Sequence, residues 1–372
     1  MKMNDAFLAS MREAMHLLQT AGPMEATAAI QRTLGHHSPA GGMGEFRAPM
    51  PAQVVESLLT NQMPHSDDAE RPITVDESSA PRPARAMGHF SQHTFANHAG
   101  QRSYKVYMPA GNVSAEPLPL VVMLHGCTQD ADDFARGTRM NALADELGFI
   151  VTYPIQSSAA NPSKCWNWFR PGDQKTGHGE PSIIAGITRE VMGSHRVDRE
   201  RVYVAGLSAG GAMAAVMIQS YPDLFAAAGV HSGLPAGCAH DLPSALAAMK
   251  GGNGVGPSRR GVARPAKPAR PMIVFHGDAD QTVCQSNGAR LIEPYRQEQQ
   301  RRQTERNHAG AGRAYTRETS ASVGGVEAEY WLIHGAGHAW AGGHTDGTYT
   351  DPKGPNASAE MLRFFLAHPL TR

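Results

Sequence analysis

One serine of this sequence stands between two glycines in a setting typical of a nucleophile. Residues 202–211 read as an apolar strand, then Gly206-x-Ser208-x-Gly210, then the start of a helix rich in alanine and methionine. A strand, a sharp turn and a helix around such a serine form a nucleophile elbow, which lifts the hydroxyl above a sheet edge. Side chains at Gly206 and Gly210 would collide with the neighbouring strand and helix. We therefore predict that Ser208 is a nucleophile.

A serine hydroxyl needs a base that takes its proton and a third group that orients the base. In a sheet of parallel strands these partners follow the serine, each on the loop after a later strand. His338 comes shortly after the apolar run that ends at Ile333, and the glycines at 335 and 337 let it approach Ser208. We predict that His338 is the base and that His334, nearer the strand, is structural.

Two carboxylates compete for the third position, because the apolar run ending at Phe275 is followed by His-Gly-Asp-Ala-Asp. Asp278 lies close to the strand end, where an aspartate commonly caps a turn by accepting from backbone amides. Asp280 lies further out in the loop and can reach a histidine. We predict that Asp280 is the acid of the triad.

The tetrahedral intermediate of acyl transfer needs backbone N–H groups around its oxyanion. One is expected from Ala209, directly after the nucleophile, and a second from the loop that follows an early strand. In this chain that loop begins at His125-Gly126-Cys127, after a continuous apolar run. We predict that the N–H groups of Cys127 and Ala209 form the oxyanion hole.

Aromatic residues are scarce in this chain, at 6%, yet several gather in the loop around residues 161–169. Loop aromatics commonly line a cleft, although a buried cluster is the ordinary alternative. We predict that Trp166, Trp168, Trp340 and His125 contact the substrate.

No metal or organic cofactor is predicted. His334, His338 and His344 lie on a glycine-rich loop rather than on one helix face, and no acidic pair flanks them. The four cysteines, at 127, 165, 238 and 284, contain no C-x-x-C spacing, which argues against zinc. Two disulfides and four buried thiols both remain open.

Composition excludes several classes of protein. Lysine plus arginine and aspartate plus glutamate both number 34, so no charge excess favours binding to nucleic acid or to an anionic membrane surface. No apolar run is long enough for a transmembrane helix. Charged residues interrupt the N-terminus, so it lacks the apolar centre of a signal peptide and the sequence favours the cytoplasm.

The chain divides into three predicted parts. Residues 1–34 carry two apolar stripes at helical spacing and are predicted to form a helical hairpin. We expect this hairpin to pack on its own domain or on a partner subunit in a homodimer. Anchoring to an apolar surface is the alternative. Residues 35–88 are rich in Pro, Gly, Ala and Ser and read as a linker. Residues 89–372 form the catalytic domain, with 250–270 as a mobile surface loop or a lid.

Strands and helices alternate through the catalytic domain, which predicts an α/β fold: a mostly parallel central sheet with helices on both faces. Strands are expected at 104–108, 118–124, 149–153, 201–205, 226–230, 271–275 and 328–333, and helices at 132–147, 182–192, 208–220, 288–301 and 357–366.

Six motifs together resemble those of the poly(3-hydroxybutyrate) depolymerase-like esterases, an α/β-hydrolase family that includes feruloyl and acetylxylan esterase-like members. They are Leu124-His-Gly-Cys-Thr-Gln129, Phe134-Ala-x-Gly-Thr-x-Met-Asn141, Cys165-Trp-Asn-Trp-Phe169, Gly206-Leu-Ser-Ala-Gly-Gly211, His276-Gly-Asp-Ala-Asp280 and Gly337-His-Ala-Trp340. The resemblance spans roughly residues 90–368. It implies a serine esterase with Ser208, Asp280 and His338 as triad, and suggests that Cys127 and Cys165 lie close together. It also makes an extracellular location the alternative, as for many members.

The function predicted from these observations is hydrolysis of short-chain polyhydroxyalkanoate or its oligomers through an acyl-enzyme. A carboxylesterase acting on feruloyl or acetylxylan esters is one alternative. A non-catalytic protein that binds polyester granules through its N-terminal hairpin is another, although a complete Ser/Asp/His set in the expected order argues against it.

Overall fold

The computed structural model describes residues 88–110, 116–252, 270–296, 302–322 and 326–370. The predicted hairpin at 1–34, its proposed role in a homodimer, and nearly all of the linker at 35–88 lie outside these residues. So does the loop between 253 and 269.

Ten strands form the main sheet, in the order β1-β2-β4-β3-β5-β6-β7-β10-β9-β8. Their bounds are β1 His89–Asn97, β2 Gly100–Met108, β3 Leu118–Leu124, β4 Ile150–Pro154, β5 Val197–Leu207, β6 Ala227–His231, β7 Met272–Gly277, β8 Arg302–His308, β9 Ala314–Ala321 and β10 Glu327–Ile333. A separate two-stranded ladder joins β11 Trp340–Ala341 to β12 Thr350–Asp351.

The six central strands run parallel, in the order β4, β3, β5, β6, β7 and β10. The outer strands β1, β2, β8 and β9 pair antiparallel at the two sides of the sheet. Parallel strands place all their carboxyl ends at one edge, so the loops after β3, β5, β6, β7 and β10 meet there. This edge receives every residue that the sequence analysis assigned to the catalytic triad and oxyanion hole.

Seven α-helices lie within the described residues: α1 Ala131–Thr138, α2 Met140–Leu147, α3 Gly179–Ser194, α4 Ala209–Ser220, α5 Leu242–Met249, α6 Ser286–Arg296 and α7 Ala357–Ala367. Successive residues of β3 point to opposite faces. Leu120 and Val122 pack in the layer that contains α3 and α4, and Val121 and Met123 in the layer that contains α1, α2 and α7. The predicted α/β fold with helices on both faces is confirmed.

Five strands, one helix and one helix break differ from the sequence prediction. The short strands β11 and β12 and the helix α5 were not expected. β1, β8 and β9 were not expected, because polar residues occupy most of their positions and little apolar alternation marks them. The single helix predicted at 132–147 is two helices, separated by Arg139 with φ 54°. The Gly137 carbonyl accepts from the His344 N–H at 2.8 Å, so a contact from a distant loop lies at this break.

Candidate active site

Ser208 occupies a strained turn between β5 and α4. Its backbone, at φ 57° and ψ −118°, lies where residues with side chains are rare. A Cβ at Gly206 would lie 2.4 Å from the Gly210 carbonyl carbon, and one at Gly210 would lie 2.0 Å from the Leu124 oxygen. Both glycines are therefore required for the close approach of β5, α4 and β3, as the sequence pattern predicted.

Asp280 and His338 are in direct contact on the loops after β7 and β10. The Nδ1–H of His338 donates to Asp280 Oδ2 at 2.7 Å, which leaves Nε2 available to accept a proton. Asp280 Oδ1 accepts from the backbone N–H groups of Thr282 and Val283 at 2.9 and 2.8 Å. The carboxylate is thus held on both oxygens while it orients the imidazole.

The charge of Asp280 is strongly favoured. Burial alone would raise the pKa of this carboxyl, but hydrogen bonds from His276, His338 and the Val283 N–H outweigh burial and hold the pKa well below its usual range. Asp280 is therefore an anion throughout the range in which an imidazole titrates, as the orienting group of a triad must be.

His231, at the end of β6, links the serine turn to the histidine loop. Its carbonyl accepts from the Ser208 N–H at 2.9 Å, and its Nε2 accepts from the Ala341 N–H at 3.0 Å. Its ring also stacks on Trp340, with the ring centroids 5.1 Å apart. Burial lowers the pKa of His231 to about 3, so the ring stays neutral and keeps accepting from Ala341.

The Ser208 hydroxyl makes no hydrogen bond to any residue that the structure describes. The structure thus brings His338 and Asp280 into contact and leaves the contact between Ser208 and His338 unmade. Such bonds are commonly long in free enzymes and shorten when substrate binds.

The competing carboxylate has a different partner. Asp278 Oδ2 accepts from His334 Nδ1 at 2.8 Å, and Asp278 Oδ1 accepts from the Gly335 N–H at 2.7 Å. His334 Nε2 lies 2.9 Å from Thr316 Oγ1 on β9. Asp278 therefore caps the loop after β10 together with His334, and Asp280 is the carboxylate that contacts His338.

The loop after β3 lies directly against the serine turn. A Cβ at Gly126 would lie 3.6 Å from Ser208 Cβ. The Cys127 N–H has no acceptor among the residues that the structure describes. Ala209 is the first residue of α4, where a backbone N–H has no partner within the helix. Both predicted oxyanion donors are therefore free to bind an anion beside Ser208.

Cys127 forms a disulfide with Cys165, while Cys238 and Cys284 are free thiols. The bond ties the loop that carries the predicted oxyanion donor to the aromatic loop around 161–169. The four cysteines thus form one disulfide and two free thiols, rather than two disulfides or four thiols.

The prediction that three tryptophans line an open cleft is wrong. Trp166 and Trp340 are 0% and 1% exposed, and Trp168 is also buried. Trp340 Nε1 donates to Ser358 Oγ at 3.0 Å, and its ring packs edge-on against Phe134. Since indole rings bury a large apolar area, these side chains pack beneath the site and hold its loops.

His125 is also buried, at 1% exposed, so the predicted contact with substrate is wrong. Its Nδ1–H donates to the Gly126 carbonyl at 2.7 Å, and its Nε2 accepts from the Gln156 N–H at 3.0 Å. Burial lowers the pKa of His125 to about 4, so the ring is neutral at ordinary pH. Both ring nitrogens are engaged within the protein.

An exposed side chain that the sequence analysis missed lies beside the oxyanion loop. Tyr349 is 46% exposed, and its hydroxyl lies 3.2 Å from Thr128 Oγ1. The two residues border an open groove of about 420 Å³ that also includes Gln129, Asp130 and Thr348. Tyr349 follows no strand, and no local pattern marked it. Contacts with distant residues bring it to the site, among them its carbonyl, which accepts from the Trp340 N–H at 2.7 Å.

Within the described ranges, no group of three or more His, Cys, Asp or Glu side chains could hold a metal ion. His334 and His338 each bind a different aspartate, and His344 lies beside Asp346 at 3.2 Å. Among the described helices, none is both long and apolar enough to cross a membrane.

Comparison with known proteins gives a family match over most of this region. The family described as "Esterase PHB depolymerase" matches residues 102–322, which include Ser208 and Asp280. Poly(3-hydroxyalkanoate) depolymerase C of Paucimonas lemoignei is 36% identical over 207 residues, which cover 54% of this chain and 49% of that protein. The probable acetylxylan esterase A of Aspergillus fumigatus is 31% identical over 204 residues, 52% of this chain and 53% of that protein.

The chain thus spans about half the length of the curated relatives it matches. Among solved structures, an acetyl xylan esterase from Aspergillus awamori aligns with a TM-score of 0.53 at 23% identity, over 68% of this chain and 94% of that one. This likeness shows that the two chains share a fold.

Proposed function

Because the chain belongs to the PHB depolymerase esterase family, we propose that it is a serine esterase that hydrolyses short-chain polyhydroxyalkanoates or their oligomers. The observation that carries this proposal is the 2.7 Å bond between His338 and Asp280, formed at the sheet edge where the strained Ser208 turn lies. An imidazole with an oriented Nδ1–H beside a serine elbow is the machinery of acyl transfer.

In the proposed reaction, Ser208 Oγ attacks the ester carbonyl while His338 Nε2 takes its proton. The oxyanion accepts hydrogen bonds from the N–H groups of Cys127 and Ala209. His338 then gives the proton to the leaving alkoxide, and an acyl-enzyme remains. Water, deprotonated by His338, attacks this ester and releases the acid and Ser208, while Asp280 stabilises the imidazolium in both halves.

The poly(3-hydroxyalkanoate) depolymerase of Paucimonas lemoignei supports this substrate class, because at 36% it has the higher sequence identity of the two relatives described above. A carboxylesterase acting on acetyl esters of xylan is the second candidate, supported by the relative that is 31% identical. The triad chemistry is the same for both, so the substrate must be distinguished by experiment.

The test measures clearing of an amorphous poly(3-hydroxybutyrate) suspension and release of acid from p-nitrophenyl butyrate, acetylated xylan and a feruloyl ester. Ser208→Ala is expected to lower every activity by at least about 10³-fold. Ser220→Ala, at the far end of the same helix, is the matched control and keeps wild-type rates. Residual activity of Ser208→Ala above about a tenth would refute the serine mechanism. Serine-dependent cleavage of xylan or feruloyl esters without clearing would reject the polyester.

A further inference from the structure

The peptide group between Gly126 and Cys127 carries one of the two proposed oxyanion donors. A trans peptide is planar, so its carbonyl oxygen and its N–H point in opposite directions. The direction of the Cys127 N–H is therefore set by whatever holds the Gly126 carbonyl.

Side chains hold this segment on two sides. The Gly126 carbonyl accepts from His125 Nδ1–H at 2.7 Å, and the Gly126 N–H donates to Gln129 Oε1 at 2.9 Å. The Cys127 N–H, next along this segment, has no acceptor in the described part of the chain. Glycine tolerates widely different backbone angles, so residue 126 itself does little to prevent rotation of the peptide.

We propose that His125 is a positioning residue: its Nδ1–H holds the Gly126 carbonyl away from the reaction centre and so aims the Cys127 N–H at the oxyanion. This inference rests on the proposed function, since it assigns His125 to that same site. The Gly126 carbonyl also accepts from the Gln129 N–H, but at 3.4 Å, which is much longer than the 2.7 Å bond from His125. Loss of the shorter bond leaves this peptide less firmly held, and rotation would turn the carbonyl oxygen towards the negatively charged oxyanion.

The ring of His125 is itself held by a buried network. The Gln156 N–H donates to His125 Nε2 at 3.0 Å, which forces the ring proton onto Nδ1, where the Gly126 carbonyl needs it. Gln156 also donates from its side chain to the Cys165 carbonyl at 2.9 Å. Its side-chain oxygen accepts from Arg102 Nε at 2.8 Å, and Glu180 accepts from its amide nitrogen.

Glu180 extends this network to the aromatic loop. It is 4% exposed and accepts from the Asn167 N–H at 2.7 Å and from the Asn167 side chain at 2.8 Å. Arg102 also lies 3.2 Å from the Glu180 carboxyl group. The His125 ring is thus hydrogen-bonded into a network of buried groups rather than to solvent-exposed ones.

Two substitutions at the same position separate the two ring contacts. Asparagine carries a side-chain nitrogen as many bonds from Cα as Nδ1 and can still donate to the Gly126 carbonyl. Glutamine carries its polar atoms at the distance of Nε2 and can engage only the Gln156 side. Both remove the same ring, so the His125→Asn and His125→Gln variants control each other for loss of packing.

Steady-state kinetics with p-nitrophenyl butyrate test the inference, with each rate divided by the concentration of sites that a fluorophosphonate labels to completion. We expect His125→Gln to lower kcat about 100-fold, the loss typical of one oxyanion donor, with KM within about threefold. His125→Asn is expected to keep kcat within about fivefold of wild type.

Equal kcat values for the two variants would overturn the inference, and so would a change in KM alone. Failure of the His125→Asn variant to react with the fluorophosphonate would overturn it as well. Ser208→Ala is measured beside them. Should Ser208→Ala keep the activity, the proposed function fails as well. Should it lose the activity while the two His125 variants remain equal, only the inference fails.

Discussion

Replacing Asp280 by asparagine tests the orientation of the proposed catalytic imidazole, His338, without removing the loop that carries Asp280. Asp280 Oδ1 accepts from two backbone N–H groups, at 2.9 and 2.8 Å, and the amide oxygen of asparagine can keep both bonds. The amide nitrogen then faces His338 Nδ1, where the carboxylate oxygen accepts a 2.7 Å bond in the wild type. A donor at that place stabilises the imidazole tautomer with its proton on Nε2.

An imidazole protonated on Nε2 cannot accept the proton of Ser208, so the defect lies in the chemical step. In serine proteases, the corresponding replacement of the triad aspartate by asparagine lowers kcat about 10⁴-fold. Four factors of ten correspond to about 5 kcal/mol of transition-state stabilisation. We expect a loss of this order for Asp280→Asn, with KM changed less than about threefold.

The matched control is Asp278→Asn, two residues earlier on the same loop. Asp278 makes an equally short bond, 2.8 Å, to a different histidine, His334. We expect kcat of this variant within about threefold of wild type. Initial rates with p-nitrophenyl butyrate and thermal unfolding midpoints are measured for both variants. Comparable losses in both variants, or an Asp280→Asn enzyme that keeps more than about a tenth of kcat, would refute the reasoning.

Two further outcomes follow from the structure. Burial lowers the pKa of His125 to about 4 and that of His231 to about 3, from 6.5. The unfolded chain binds more protons than the folded one between those values and 6.5, so thermal midpoints should rise with pH across this window, and a flat profile would contradict the assignment. Tyr349→Ala should raise KM for a 3-hydroxybutyrate oligomer about fivefold while Tyr349→Phe does not, and equal KM values would remove Tyr349 from the substrate groove.

The central part of the fold was predictable because its signals are local. The continuous apolar run at 118–124 and the Gly-x-Ser-x-Gly turn each report their own environment: a strand buried on both faces and a close approach of backbones. β1 and β9 were missed because they pair with neighbouring strands without an alternating apolar face that the sequence could show. The break at Arg139 adjoins a hydrogen bond from His344, about 200 residues later in the chain.

At the site, too, local sequence patterns predicted part of the arrangement, whereas several contacts between distant loops could not be predicted. Asp280 and His338 were chosen by chain order and distance from a strand end, and the structure brings these two into contact. Trp166 and Trp340 were misread because a loop position gives no measure of burial, and here the loops fold back over the sheet. His125 was assigned to substrate since its partner, the Gln156 N–H, belongs to a loop that local sequence does not connect to it.

The backbone angles of Ser208 have a consequence for how such a sequence changes over generations. A residue with a side chain in this region costs about 1–3 kcal/mol that glycine would not. Chains retained only for folding would therefore drift towards glycine at this position and keep Gly206 and Gly210, where a Cβ has no room. Under the proposed function, serine between those two glycines reflects selection for chemistry rather than for stability.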